Sequence, residues 1–309
     1  MPNWLKIYLS GALMGVADVV PGVSGGTIAF ILGVYDRLIA ALSGVNKTSL
    51  GMLFKGDIKG LWRHFDGALL LPLGAGILSS IFLIAGLITH LLATYPSYLW
   101  SFFFGLILAS AYFLITEIRG FALRHAVIML LGAAIGASLS LLVPTQMNTS
   151  PLMVFLAGMI AICAMILPGI SGSFLLLMMG MYGFVLSAVK GLDLVVIAIF
   201  AAGALVGLLS FSKLLNYLLT HARSMTLALL TGVMLGALVK VWPWKVTDTW
   251  SQVGSKTLPL EEHLILPWQQ VNFYWLNDLF FPLVCLLIGS LSVILISRIF
   301  LQKNVHADH

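Results

Sequence analysis

Apolar runs long enough to cross a bilayer recur along this chain, at about 68–94, 98–118, 126–143, 194–219, 225–242 and 279–301. A helix needs roughly 17–25 residues to match a hydrocarbon core about 30 Å thick. Only 9% of the residues are charged and the mean hydropathy is +1.06, whereas soluble domains carry about 25% charge. The chain therefore reads as all-α: a single polytopic membrane domain with about six full transmembrane helices. Its net charge of +5 calls for no nucleic acid, because Lys and Arg gathered in cytoplasmic loops give this balance. Cys163 and Cys285 lie in apolar helical runs without metal or redox spacing and read as inert thiols. The start mimics a signal peptide, with Lys6 ahead of a short apolar run. It lacks a small-residue cleavage site and is expected to be retained.

Two stretches do not behave as simple spans: Pro21-Gly22-Val23-Ser24-Gly25-Gly26-Thr27 and Pro168-Gly169-Ile170-Ser171-Gly172-Ser173. Pro-Gly ends an incoming helix, and the Ser, Gly and Thr that follow suit the start of a new one. In lipid such a break is tolerated only where protein or a wet cavity satisfies the freed backbone groups. Around the first break, residues 4–44 divide into two arms of roughly 16–18 residues, about 24–27 Å each as helix. That falls short of a full crossing, so two re-entrant helical hairpins are expected, over 4–44 and about 152–190.

Internal repetition organises the whole chain. Sliding Gly11–Gly44 by 147 positions lays it on Gly158–Gly191, and ten positions coincide, among them Pro21, Gly22, Ser24, Gly25, Gly33 and Tyr35. An offset of 127 continues the match into later spans, Gly76 onto Gly203 and Gly105 onto Gly232. The first repeat is assigned to about 4–118 and the second to about 152–242, with additional spans at 126–143 and 279–301. If the basic 45–67 connection is cytoplasmic, twelve of the 16 Lys and Arg residues fall on that side. Lys190, Lys240, Lys245 and Lys256 fall outside, and both termini are cytoplasmic. Three spans separate the two hairpins, so the repeats have inverted topology. Paired broken helices in matching halves are the best sequence pointer to a transport site.

Each new helix start would present free N–H groups and a positive dipole end to an anion. Ser24, Gly25, Gly26 and Thr27 in one copy, and Ser171, Gly172 and Ser173 in the other, are the candidate phosphate-binding residues. Close helix packing is the competing explanation, and it is preferred for Gly11/Gly15, Gly132/Gly136, Gly203/Gly207 and Gly232/Gly236. Asp18 precedes the first break, where the second copy has Met165. It either couples or gates through a proton or cation, or simply hydrogen-bonds freed backbone. Arg37 is a further phosphate candidate; the alternative is an interfacial Arg paired with Asp36.

Gly22-Val23-Ser24-Gly25-Gly26 matches the G-x-S-x-G elbow only formally, since no strand precedes it and no His–acid pair accompanies it. No ATP-binding loop, catalytic set, metal site or cofactor is evident, so no enzyme is expected. Taken together, Ala17-Asp18-Val19-Val20-Pro21-Gly22-Val23-Ser24-Gly25-Gly26-Thr27 and Leu167-Pro168-Gly169-Ile170-Ser171-Gly172-Ser173 resemble the PopT family of bacterial membrane proteins. That resemblance covers nearly the whole chain. It implies a flippase returning undecaprenyl phosphate, a polyprenyl phosphate lipid, from the outer to the inner leaflet of the bacterial cytoplasmic membrane. The alternative is an ion-coupled transporter or channel for a small anion. Proton or sodium coupling, contacts with membrane lipids and homo-oligomer formation stay open.

Overall fold

The computed structural model describes residues 3–20, 23–142, 147–253, 256–270 and 273–301. Pro21 and Gly22, which open the first expected break, lie outside the described residues. The chain begins with α1 (Asn3–Val19), α2 (Gly25–Ile31) and α3 (Tyr35–Leu42). The basic connection forms α4 (Lys47–Phe54), started by an Asn46 capping box, and α5 (Ile58–His64), capped by Asp57. Three long helices follow: α6 (Gly67–Thr94), α7 (Pro96–Glu117) and α8 (Leu123–Ser140). Then come α9 (Pro151–Ile166), α10 (Gly172–Met178), α11 (Tyr182–Lys190), α12 (Leu194–His221) and α13 (Arg223–Ala237). Strands β1 (Lys245–Val253) and β2 (Lys256–Leu264) pair antiparallel ahead of α14 (Phe281–Leu301).

Among the described residues five helices are long and apolar enough to cross a membrane, or six if the bent pair α10–α11 counts as one. The span expected over 225–242 is the 15-residue α13, prolonged by tighter turns such as Lys240 N–H to Ala237 C=O at 3.0 Å. Phe82, Leu83, Leu130, Leu205 and Leu291 are exposed on the long helices, as side chains facing lipid would be. The β-hairpin, which hydropathy does not mark, lies between the last two apolar runs.

Both broken units fold back on themselves, α2 against α1 and α10 against α9. Their second arms correct one expectation. Neither is a single helix of 16–18 residues: α2 and α10 have seven residues each, and α10 meets α11 at 110°. The reason is a glycine at the same repeat position, Gly33 and Gly180, each at φ +67°. That left-handed conformation ends a helix and is costly for residues with a Cβ.

Small residues hold the long helices together in pairs. A Cβ on Gly11 would overlap the Leu73 carbonyl, and one on Gly76 the Tyr8 carbonyl, so α1 and α6 touch backbone to backbone. The α9–α12 contact repeats this through Gly158 on Phe200 and Gly203 on Phe155, the same positions displaced by 147 and 127. Gly132 and Gly232 join α8 to α13, while Gly105 and Gly289 join α7 to α14. Packing is thus the role of these spaced glycines. The two additional spans each pair with a helix distant in sequence, α8 with α13 and α14 with α7.

Candidate functional site

The breaks meet in the interior. The hydroxyl of Ser24 lies 3.3 Å from the carbonyl of Met165 and 3.2 Å from that of Leu167. Tyr35 donates its hydroxyl to the Ile166 carbonyl at 2.9 Å. In the other direction, Gly169 N–H donates to the Thr27 hydroxyl at 3.1 Å. A helix ends with carbonyls that no intrahelical donor reaches, and in an apolar interior each needs a partner. Side chains of the first broken unit therefore cap the end of α9. Ser24 and Thr27 are 1% and 0% exposed, so both hydroxyls are buried inside the protein.

The start of α2 has its own anion. Asp18 accepts from Gly25 N–H at 2.7 Å, and Ser24 accepts from Gly26 N–H at 3.1 Å. Of the two readings for Asp18, hydrogen bonding to backbone freed by the break is the geometry observed. The glycines follow from these approaches. A Cβ on Gly25 would stand 2.6 Å from the Asp18 carboxylate, and one on Gly26 3.0 Å from the Ile166 carbonyl.

The second break is arranged differently. Gly169 takes φ +87°, and a Cβ there would come within 2.9 Å of the Met234 backbone. Ser171 precedes α10, but its side chain caps no N–H of that helix. Instead it pairs with the Ser173 hydroxyl at 2.9 Å, and Ser173 is exposed. A Cβ on Gly172 would overlap the Ala161 carbonyl, so this glycine lets α10 fold against α9. A narrow cleft of about 10 Å³ opens beside the break, lined by Gly136, Ser140, Gly169, Ser171, Phe174 and Lys240. That is room for about one water.

Arg37 lies on the exposed surface. It grips Asp66 with two hydrogen bonds, Nη2 to Oδ1 at 2.8 Å. The expected pairing with Asp36 is not formed, since Asp36 holds Arg223 at the start of α13 instead. Adjacent residues on a helix point to different neighbours, and here α3 places its two charges against different elements.

Four further side chains of this region went unassigned by the sequence. Tyr35 was visible as a repeat position, but its partner carbonyl was not. Lys240 donates to Glu262 at 2.8 Å and lies 4.9 Å from the Phe174 ring centre; Lys245 is 3.6 Å from the same Glu262 oxygen. Burial pushes the Lys245 ammonium down to about 8, against the upward pull of Glu262. Burial raises Glu262, but Lys245 and Lys240 outweigh it and hold that carboxyl below its ordinary range. A lysine at the end of an apolar span was a usable signal. Glu262 had none, since only the β-hairpin brings it there. Among the described residues no His, Cys, Asp or Glu cluster suits a metal ion.

The undecaprenyl phosphate translocase-like family matches residues 14–258. A polyprenyl-phosphate transporter of Vibrio cholerae is 46% identical over 268 residues, covering 86% of this chain and 87% of that protein. The chain belongs to this family. A polyprenyl-phosphate transporter of Staphylococcus aureus is 34% identical over 269 residues, covering 80% of this chain and 88% of its own length. The family match spans both breaks and most of the helices that surround them. No solved structure matches the chain.

Proposed function

We propose that this protein is a flippase that returns undecaprenyl phosphate, or a closely related polyprenyl phosphate, from the outer to the inner leaflet of a bacterial cytoplasmic membrane. The observation that carries this, beside family membership, is the meeting of two broken helical hairpins inside an apolar body. Moving such a lipid requires hiding an anionic headgroup from hydrocarbon while its tail stays in lipid. Polar backbone and hydroxyls at two interlocked breaks supply that path, and the long helices supply walls that lipid can wet.

In this reading the repeats are inverted, the hairpins enter from opposite faces, and both termini are cytoplasmic. Ser171, Gly172 and Ser173 receive the phosphate first, because the two serine hydroxyls are not spent on the other hairpin. Ser24, Gly25, Gly26 and Thr27 reach it once the breaks part, when Ser24 and Thr27 release the end of α9. Arg37 would exchange Asp66 for phosphate on the cytoplasmic side. Asp18 couples the cycle: a proton or cation on its carboxylate loosens its bond to Gly25 and frees the start of α2. No covalent step is involved.

Purified protein in liposomes should move labelled undecaprenyl phosphate between leaflets, and Ser24→Ala or Thr27→Val should slow it. Retention of all label in its starting leaflet under proton and sodium gradients alike would reject the proposal. Anion flux without lipid movement would point instead to a small-anion transporter.

A further inference from the structure

Beside the second break, two lysines share one carboxylate where water barely reaches. Lys240 donates to Glu262 Oε2 at 2.8 Å, and Lys245 stands 3.6 Å from that same oxygen. Their side chains are 19% and 6% exposed, and that of Glu262 is 13%. Lys245 is fastened in place. It donates to the Lys240 carbonyl at 2.7 Å and lies 4.1 Å from the Trp100 ring centre. Lys240 has less to hold it: Glu262 on one side and the Phe174 ring, 4.9 Å away, on the other. Two cations against one anion leave the cluster with a surplus positive charge. A surplus charge in a poorly solvated place is costly unless something balances it.

Lys240 also lines the cleft that ends at Gly169, Ile170 and Ser171. We propose that Glu262 is a built-in stand-in for the cargo, and that Lys240 exchanges it for a phosphate monoester arriving when this cleft, now with room for about one water, widens. Lys245 makes the exchange feasible, because it keeps Glu262 paired when Lys240 turns away. After the swap, Lys240 faces phosphate and Lys245 faces Glu262, so neither charge is left alone. Lysine suits this role better than arginine, being a compact charge on a flexible stem. Phe174 gives the moving ammonium a ring face to rest on. In the orientation proposed above the cluster lies on the outer side, where a lipid returning inward would load. The identity of the ligand as a lipid rests on the proposed function; the exchange itself does not.

The test is binding to the full-length protein in nanodiscs, with three probes: a polyprenyl phosphate, the uncharged polyprenol, and inorganic phosphate. Lys240→Gln should weaken binding of the phosphate lipid about tenfold or more, a charge-assisted hydrogen bond being lost, and leave polyprenol unchanged. Glu262→Gln should tighten phosphate binding several-fold by removing the competitor. Because Glu262→Gln leaves two lysines without a counterion, the exchange variant Lys240→Glu with Glu262→Lys serves as the folded control. It keeps an ion pair and should lose phosphate binding. Binding of inorganic phosphate that depends on Lys240 assigns the site to the headgroup alone; binding of the lipid only, equally dependent on Lys240, assigns it to headgroup and tail together.

Wild-type affinity in both Lys240→Gln and the exchange variant would overturn the proposal, as would weaker binding in a folded Glu262→Gln protein. The two proposals fail separately. If the wild type moves lipid and both variants move it at full rate, the exchange is wrong and translocation stands. If the wild type moves no lipid yet binds phosphate through Lys240, translocation is wrong and the exchange stands.

Discussion

The two broken units occupy matching places in the chain, yet they are finished differently. At the first, Asp18 and Ser24 satisfy the start of α2, while Ser24, Tyr35 and Thr27 reach across to the end of α9 and the break that follows it. At the second, Met165 stands in place of Asp18, the two serine hydroxyls bond to each other, and a cleft with Lys240 lies alongside. The first unit is closed by its own side chains; the second has polar groups to spare. A pair of breaks built from one repeat can thus divide the work. In the proposed cycle one acts as the internal fastener and the other as the place where the phosphate is met.

That comparison can be broken most forcefully at the glycines. Gly172→Ala sets a Cβ against the immovable Ala161 carbonyl and should cost about 3 kcal/mol, read as a fall in Tm in detergent. Its twin, Gly25→Ala, meets only the Asp18 side chain and should cost less. Equal losses would mean that the two hairpins close equally tightly. Asp18→Ala should cost about 2 kcal/mol by stranding Gly25 N–H. Met165→Ala should cost about 1 kcal/mol or less, that side chain being 44% exposed.

Tyr35→Phe leaves the buried Ile166 carbonyl without its donor, at about 1 kcal/mol. Tyr182→Phe should be near neutral, because among the described residues Tyr182 makes no hydrogen bond. Similar losses would erase the fastener's one-sidedness. The second unit has a pH signature of its own. Lys245 faces Glu262, Lys240 and Trp100, and its charge is lost as pH rises through about 8. The protonated form attracts the anion, so phosphate binding should weaken across that interval, whereas Asp18→Asn should leave this profile unchanged. Smallest of all is Asp36→Asn. With the Asp36 and Arg223 side chains about half exposed, the stability change should stay below about 1 kcal/mol.

Much of this architecture was legible before any coordinates. The long apolar runs announced the spans, since lipid forces backbone to satisfy itself within helices. The repeated Pro-Gly-x-Ser-Gly stretch announced paired breaks, and the spacing of Gly203 from Gly207, or Gly232 from Gly236, announced tight helix contacts. The α2–α3 bend was not expected, although the glycine behind it is shared by both repeats, at positions 33 and 180. Asp18 could be flagged as unusual. Whether it served a ligand or its own backbone could not.

The sequence by itself therefore determined what is local and periodic: which segments are helical, which are interrupted, and which copy carries a carboxylate. Tertiary structure decided every partnership between distant residues. It joined Ser24 to Leu167, α7 to α14, and Arg37 to Asp66 rather than to its neighbour Asp36. It also carried Glu262 on a β-hairpin back to Lys240. Helix periodicity and hydropathy are properties of neighbouring residues, whereas a hydrogen bond between breaks depends on how whole helices stack. That is why the two breaks could be seen as alike in sequence and found unlike in the fold.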